Sequence, residues 1–147
     1  MKTVMHRLAM ALFIALFLVA CDKTPDEDQI AQNIDAMKEA VERKEFTAIK
    51  DHLHDSFIAN GRLNTRDVNR LLQMYGMQHK NIGATIMSSK TTMDPVFPDR
   101  ADTTLSVVLT GSSGRLPSDG SVRTVTLEWI KDSGDWLVRK ANWQHYQ

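Results

Sequence analysis

The chain is short of cysteine, of net charge and of long apolar runs. Its 147 residues hold one Cys, and 18 Lys+Arg balance 18 Asp+Glu. A single thiol excludes an internal disulfide and any zinc site built mainly from thiolates. An even charge excludes a whole-chain basic footprint for nucleic acid. The apolar run from Leu8 to Ala20 has 13 residues, and a helix needs about 20 to cross a bilayer. No Gly-x-Ser-x-Gly elbow for a serine hydrolase is present. What remains is an ordinary globular composition, 42% hydrophobic and 24% charged, enough for one domain with a real core.

The Leu8–Ala20 run follows Lys2 and Arg7 and ends at Leu18-Val19-Ala20-Cys21. A basic start, a short apolar stretch and small residues make a secretory signal. Cysteine directly after that stretch makes it look like a bacterial lipobox, in which the Cys21 thiol is lipidated and becomes the mature N-terminus. The expected organisation is a signal peptide at 1–20, a lipidated tether at 21–26 and one domain at 27–147. Acyl chains of the palmitate class would anchor the protein to a bacterial membrane, facing the periplasm. Asp22 resembles an inner-membrane retention signal. Removing residues 1–20 leaves 127 residues with two more acidic than basic side chains, so anionic head groups would not attract the domain.

Thr24 reads as a helix cap, Pro25 as the first helical residue and Glu27 as the partner in a capping box. Ile30, Ile34, Met37 and Val41 repeat at helical spacing, predicting a helix from about Pro25 to Lys44. Phe46, Ile49, Leu53 and Phe57 predict a second short helix and its exit. Asn60-Gly61 is a turn. Asn64 or Thr65 caps a third helix carrying Val68, Leu71, Leu72 and Tyr75. Period-two patterns follow in 101–109, 124–129 and 136–139, after a Thr/Ile/Ser-rich stretch at 81–93. Asp132-Ser133-Gly134-Asp135 is a tight hairpin. Trp136 shares a face with Val138 and is expected inside. The fold class is α+β: N-terminal helices packed on a curved antiparallel sheet of about four strands.

This order resembles the NTF2-like (SnoaL-like) family. The residues that carry the resemblance are Glu45-Phe46, Asp55-Ser56-Phe57, Leu71-Leu72 and the closing Glu128-Trp129-Ile130-Lys131-Asp132-Ser133-Gly134-Asp135-Trp136-Leu137-Val138. It implies a cone of helices against a bent sheet. The family includes ketosteroid isomerases and polyketide cyclases, with an acid/base residue in the cone. Where the isomerase branch keeps a carboxylate, this chain has Phe57-Ile58-Ala59-Asn60-Gly61, and its first helix lacks the branch's Tyr.

No catalytic constellation emerges. His52, His54, His79 and Glu128 are loose acid/base candidates. His52-Leu53-His54 on a helix would splay its rings apart, unlike metal-binding pairs at i and i+4. Gly111-Ser112-Ser113-Gly114-Arg115 lies between strand patterns, which suits a hairpin loop better than a phosphate cradle. His145 falls in the C-terminal tail. Tyr75, Trp129 and Trp143 are the residues expected to line a mouth of the cone. The favoured reading is a non-enzymatic lipoprotein that binds an envelope protein or a small apolar ligand, without cofactor, metal or nucleic acid. The alternatives are a SnoaL-like enzyme on a small hydrophobic substrate and a homodimer paired through the sheet.

Overall fold

A computed structural model of the chain describes residues 25–112 and 119–145. The expected signal peptide, Cys21 and Thr24 lie outside them, as does part of the Gly111–Arg115 stretch. The first helix, α1, spans Asp26–Glu42. Pro25 is its cap residue, and the Pro25 carbonyl accepts from the N–H groups of Asp28 and Gln29. Proline therefore sits one place earlier than the sequence suggested, and no side chain bonds at this cap. Asp26, Glu27 and Asp28 in the first turn complement the positive end of the helix dipole. Ile30, Ile34 and Ala40 form the buried stripe.

α1 stops where Lys44 takes a left-handed φ of 60°. The N–H of Lys44 then reaches Val41 O, and that of Glu45 reaches Ala40 O. This closure is usually built on glycine. Here the lysine side chain gives the position a second use. Its ammonium donates to the carbonyls of Gly76 and His79. These carbonyls end the second helix, so a cation sits on its negative pole.

The expected second helix is a short 3-10 turn, Ala48–His52, followed by strand β1, Leu53–Ala59. Leu53 and Phe57 share a helical spacing, but Phe57 and Ala59 are buried while Ile58 is exposed. That alternation is a strand's. Asn60 and Gly61, both at positive φ, turn the chain back. Helix α2, Thr65–Gln78, begins at Asn64 with a complete capping box to Asp67. It packs lightly. Gly76 is its one buried residue, while Leu71, Met74 and Met77 are exposed. Gly76 is needed there, because a Cβ would stand 2.7 Å from the ring of Phe46.

Four long strands complete the sheet: β2 (Asn81–Met93), β3 (Arg100–Ser112), β4 (Asp119–Asp132) and β5 (Asp135–His145). The order is β1-β5-β4-β3-β2. β2, β3, β4 and β5 are antiparallel neighbours, and β1 lies parallel to β5. The sheet is therefore mixed and five-stranded, because β1 covers the edge that β5 would otherwise leave open. Ser133 and Gly134, both at positive φ, make the two-residue β4–β5 hairpin.

One face of the sheet packs on α1. Register aligns Met93, Ala101, Trp129 and Val138 in one row there, and Thr91, Thr103, Leu127 and Ala141 in the next. Trp129 is 2% exposed and Trp136 is 1% exposed. Trp136 is thus in the core as expected, and the Asn33 side chain of α1 donates to its carbonyl at 2.8 Å. Trp129 Nε1–H donates to Thr103 Oγ1 at 3.0 Å, and Thr103 Oγ1 lies 2.9 Å from Thr91 Oγ1.

Candidate functional site

The cone interior is filled by its own side chains. Trp129 is inside the main core cluster, and Trp143 packs half-buried at the margin of that cluster. Tyr75 belongs to the other cluster, with Phe46, Ile49 and Ile82, and its ring stacks on His79 at 4.3 Å. The three aromatic residues expected at a mouth therefore do not line a common opening. Trp129 is small-residue packed: Ala101 stands beside it in the register, leaving room for the indole. A gap of about 10 Å³ between α2 and the 3-10 turn is bordered by Phe46, Leu53, Asn69 and Leu72. That is space for one water, not for a ligand. Asn69 Oδ1 is buried beside it without a protein partner.

The acid/base candidates are dispersed. Glu128 lies on the outer face of the sheet, with Arg139 at 3.4 Å and Lys140 at 3.1 Å. It is on the opposite face from Trp129, so it does not enter the cone. His79 lies against Gly111, where a Cβ would meet its ring at 2.5 Å. His52 ends the 3-10 turn. His54 is in a strand, not on a helix, and has polar side-chain partners. Its Nδ1 accepts from the Ser56 N–H at 3.1 Å and lies 2.8 Å from Ser56 Oγ. Nδ1 is then the unprotonated nitrogen, and Nε2 faces Asp132 at 3.7 Å. This Ser-His-Asp set is on the surface, where Asp132 is more than half exposed. The set borders neither the gap beside α2 nor the hollow on the outer sheet face. Among the described residues no cluster of three or more His, Cys, Asp or Glu is placed to hold a metal ion. His145 is in β5.

A larger hollow lies elsewhere, on the face of the sheet turned away from α1. It measures about 600 Å³ and is lined by Ser88, Thr104, Leu105, Ser106, Val122 and Thr124. The register explains its character. Ser88, Ser106, Thr124 and Gln144 form one outer row, and Lys90, Thr104, Thr126 and Asn142 the next. Val108 pairs with Val122 beyond them. On β3 and β4 the centre of this face is thus small, β-branched or hydroxylated, and uncharged. Charges stand at its margin: Lys90 on the edge strand β2, Asp102 opposite Glu128, and Glu128 opposite Lys140. The alternation was legible in the sequence. The hollow was not, because it depends on four strands lying side by side.

No known protein-family profile matches the chain. No curated protein is similar to it in sequence. Solved structures are similar in fold. A candidate scytalone dehydratase from Novosphingobium aromaticivorans superposes with a TM-score of 0.70 at 10% identity, covering 83% of this chain and 85% of that one. An NTF2-like protein with a cystatin-like fold from the same species gives 0.68 at 11% identity, covering 95% and 88%. Bd1075 of Bdellovibrio bacteriovorus gives 0.67 at 9% identity, but the match covers 82% of this chain and only 40% of Bd1075. The fold, two helices on a bent and unclosed sheet, is NTF2-like. Such likeness carries the fold and not the activity.

Proposed function

We propose that the chain is a non-enzymatic lipoprotein of the bacterial envelope, held to the membrane through Cys21 and facing the periplasm. Its domain works by protein contact through the outer face of the sheet, and the occupant is a second copy of the chain. The observation that carries this reading is the contrast between the two faces: the cone is packed solid, whereas the outer face is open and uncharged at its centre. Small-molecule sites enclose most of their ligand, whereas the hollow of about 600 Å³ lies open on the sheet surface. Interface centres, by contrast, are depleted of charge. The whole outer face of the four strands, charged margin included, is about 19 Å across and about 40 Å long, roughly 800 Å². That is about the area each partner contributes to a standard interface. The margin carries both signs, Glu128 beside Arg139 and Lys140.

The test has two arms. Cys21→Ala should move the protein from the membrane fraction to the soluble one, and retention after a high-salt wash would end the anchor reading. In that soluble variant, Thr124→Arg places a charge at the centre of the patch. Sedimentation should then change from dimer to monomer with the far-ultraviolet circular dichroism unaltered and the thermal midpoint no longer dependent on protein concentration. A monomer before the substitution, or a dimer after it, would sink the sheet-face reading. The likeness to a dehydratase favours a second reading, an enzyme on a small hydrophobic substrate. That reading needs Glu128 or one of His52, His54 and His79 as the base. Glu128→Gln abolishing a cellular phenotype while the dimer persists would bring it to the front.

A further inference from the structure

Three chain segments meet at one end of the molecule. Lys131, beside the β4–β5 turn, donates to Asp26 Oδ1 at 2.7 Å at the start of α1. The backbone N–H of the same lysine donates to Asp99 O at 2.8 Å in the β2–β3 connection. The start of α1, the β4–β5 turn and residues 94–99 are thus neighbours. The lipid-bearing position, Cys21, precedes Asp26 by five residues, a reach of at most about 18 Å. The end of the domain that carries Asp26 therefore faces the bilayer.

That end has an apolar tip. Val96 is 73% exposed and Phe97 is 48% exposed, between Pro95 and Pro98. The backbone around them is self-contained. Asp94 Oδ1 accepts from the N–H groups of Val96 and Phe97. The Asp94 N–H bonds Arg100 O, and the Arg100 N–H bonds Phe97 O. The two prolines have no N–H to satisfy. With the N–H groups of Val96 and Phe97 already bonded, the tip itself loses little when water is withdrawn from it. The Arg100 guanidinium lies 4.6 Å from the centre of the Phe97 ring, placing a cation at the level where lipid phosphates would begin.

We propose that Val96 and Phe97 form a second membrane contact, a shallow wedge that enters the head-group layer of the bilayer holding Cys21. The inference rests on the proposed lipid anchor and adds an orientation to it: α1 and the strands stand up from the membrane, with the tip down and the far end of α2 away. The contact is apolar and not electrostatic. Asp26, Glu27, Asp28, Asp94, Asp99, Asp132 and Asp135 surround the tip, against Arg100 and Lys131. Added anionic lipid should therefore weaken the contact at low salt.

The experiment uses the full lipidated chain, reconstituted in phosphatidylethanolamine vesicles with or without phosphatidylglycerol. A spin label is placed at Val96→Cys, and separately at Met77→Cys near the C-terminal end of α2, whose last carbonyls lie at the opposite end of the molecule. Acylation blocks the Cys21 thiol, so each variant carries one label. The expected result is loss of collisions with an aqueous nickel chelate and gain of collisions with oxygen at position 96, while position 77 stays aqueous. Phosphatidylglycerol should partly restore the nickel collisions at position 96. Equal exposure of the two labels, in either phase, would overturn the tip contact. If the chain carries its acyl mass and sediments with the vesicles, that outcome leaves the anchor standing. A chain without acyl mass overturns the anchor and the tip contact together.

Discussion

Thr103 shows what one hydroxyl does in a filled cone. It is 1% exposed, accepts from Trp129 Nε1–H and lies beside Thr91 Oγ1. Thr103→Val keeps the shape and removes the acceptor, leaving a buried indole N–H unbonded. Stability should fall by about 1–3 kcal/mol, read as a lower urea midpoint with an unchanged slope. A change within about 0.5 kcal/mol would mean that water reaches the indole. This residue also marks where the sequence stops being legible. Alternation gave Trp129 the correct face, shared with Leu127. It gave no depth, because depth comes from Ala101 across the strand pair and from α1 above. A tryptophan with a small cross-strand neighbour and one expected at an opening have the same local pattern. Trp136 was easier to place, since the hairpin turn fixes its face and its position under the helix start.

Among the elements, α1 and the edge of β2 are joined by a carboxylate. Glu42 Oε1 accepts from the backbone N–H of Ala84 at 3.0 Å, and Lys38 bonds the other oxygen. The helix thereby covers one donor on an edge strand, where an open donor would invite another chain. The Ala84 N–H holds the Glu42 carboxyl below the ordinary glutamate value of 4.5; burial opposes this, and Lys38 adds to it. The folded pKa is the lower one, so the unfolded chain takes up the proton first. The stabilisation is full above the unfolded value and is lost as the pH falls through the folded one. The wild type should therefore exceed Glu42→Gln in stability at pH 7, and the difference should shrink as the pH falls below the ordinary glutamate value of 4.5. Parallel curves through that fall, at a constant offset, would show that the charge on Glu42 is not what joins the elements. Local chemistry announced α2, through the cap at Asn64, and both tight turns. It did not announce β1. The 49, 53, 57 spacing mimics a helix, and the strand exists because β5 offers an edge to pair with.

At the scale of the whole molecule, the anchor and the sheet face constrain each other. Both copies in a dimer must present the Asp26 end to one bilayer. Two sheets packed face to face about a two-fold axis in the plane of contact allow two arrangements. An axis along the strands points both tips the same way, whereas an axis across the strands points them apart. Only the first suits two anchors in one membrane. It also makes a line of positions along β3 approach their own counterparts. Thr104 and Val108 lie on that line, both on the outer face. Sheets stacked face to face stand about 10 Å apart, beyond the roughly 7 Å that a disulfide allows but within reach of a short bis-maleimide. In full lipidated chains, Thr104→Cys and Val108→Cys should thus each give a cross-linked dimer as a single variant with that reagent. An axis across the strands near Ser106 would instead bring Thr104 of one copy toward Val108 of the other. Each single variant would then stay monomeric on a denaturing gel, and only the chain carrying both cysteines would link. That outcome would mean that the dimer joins two membranes or that the outer face pairs only after release from the lipid. Cross-links in the single variants would instead establish one contact geometry that satisfies the strand rows and the membrane together.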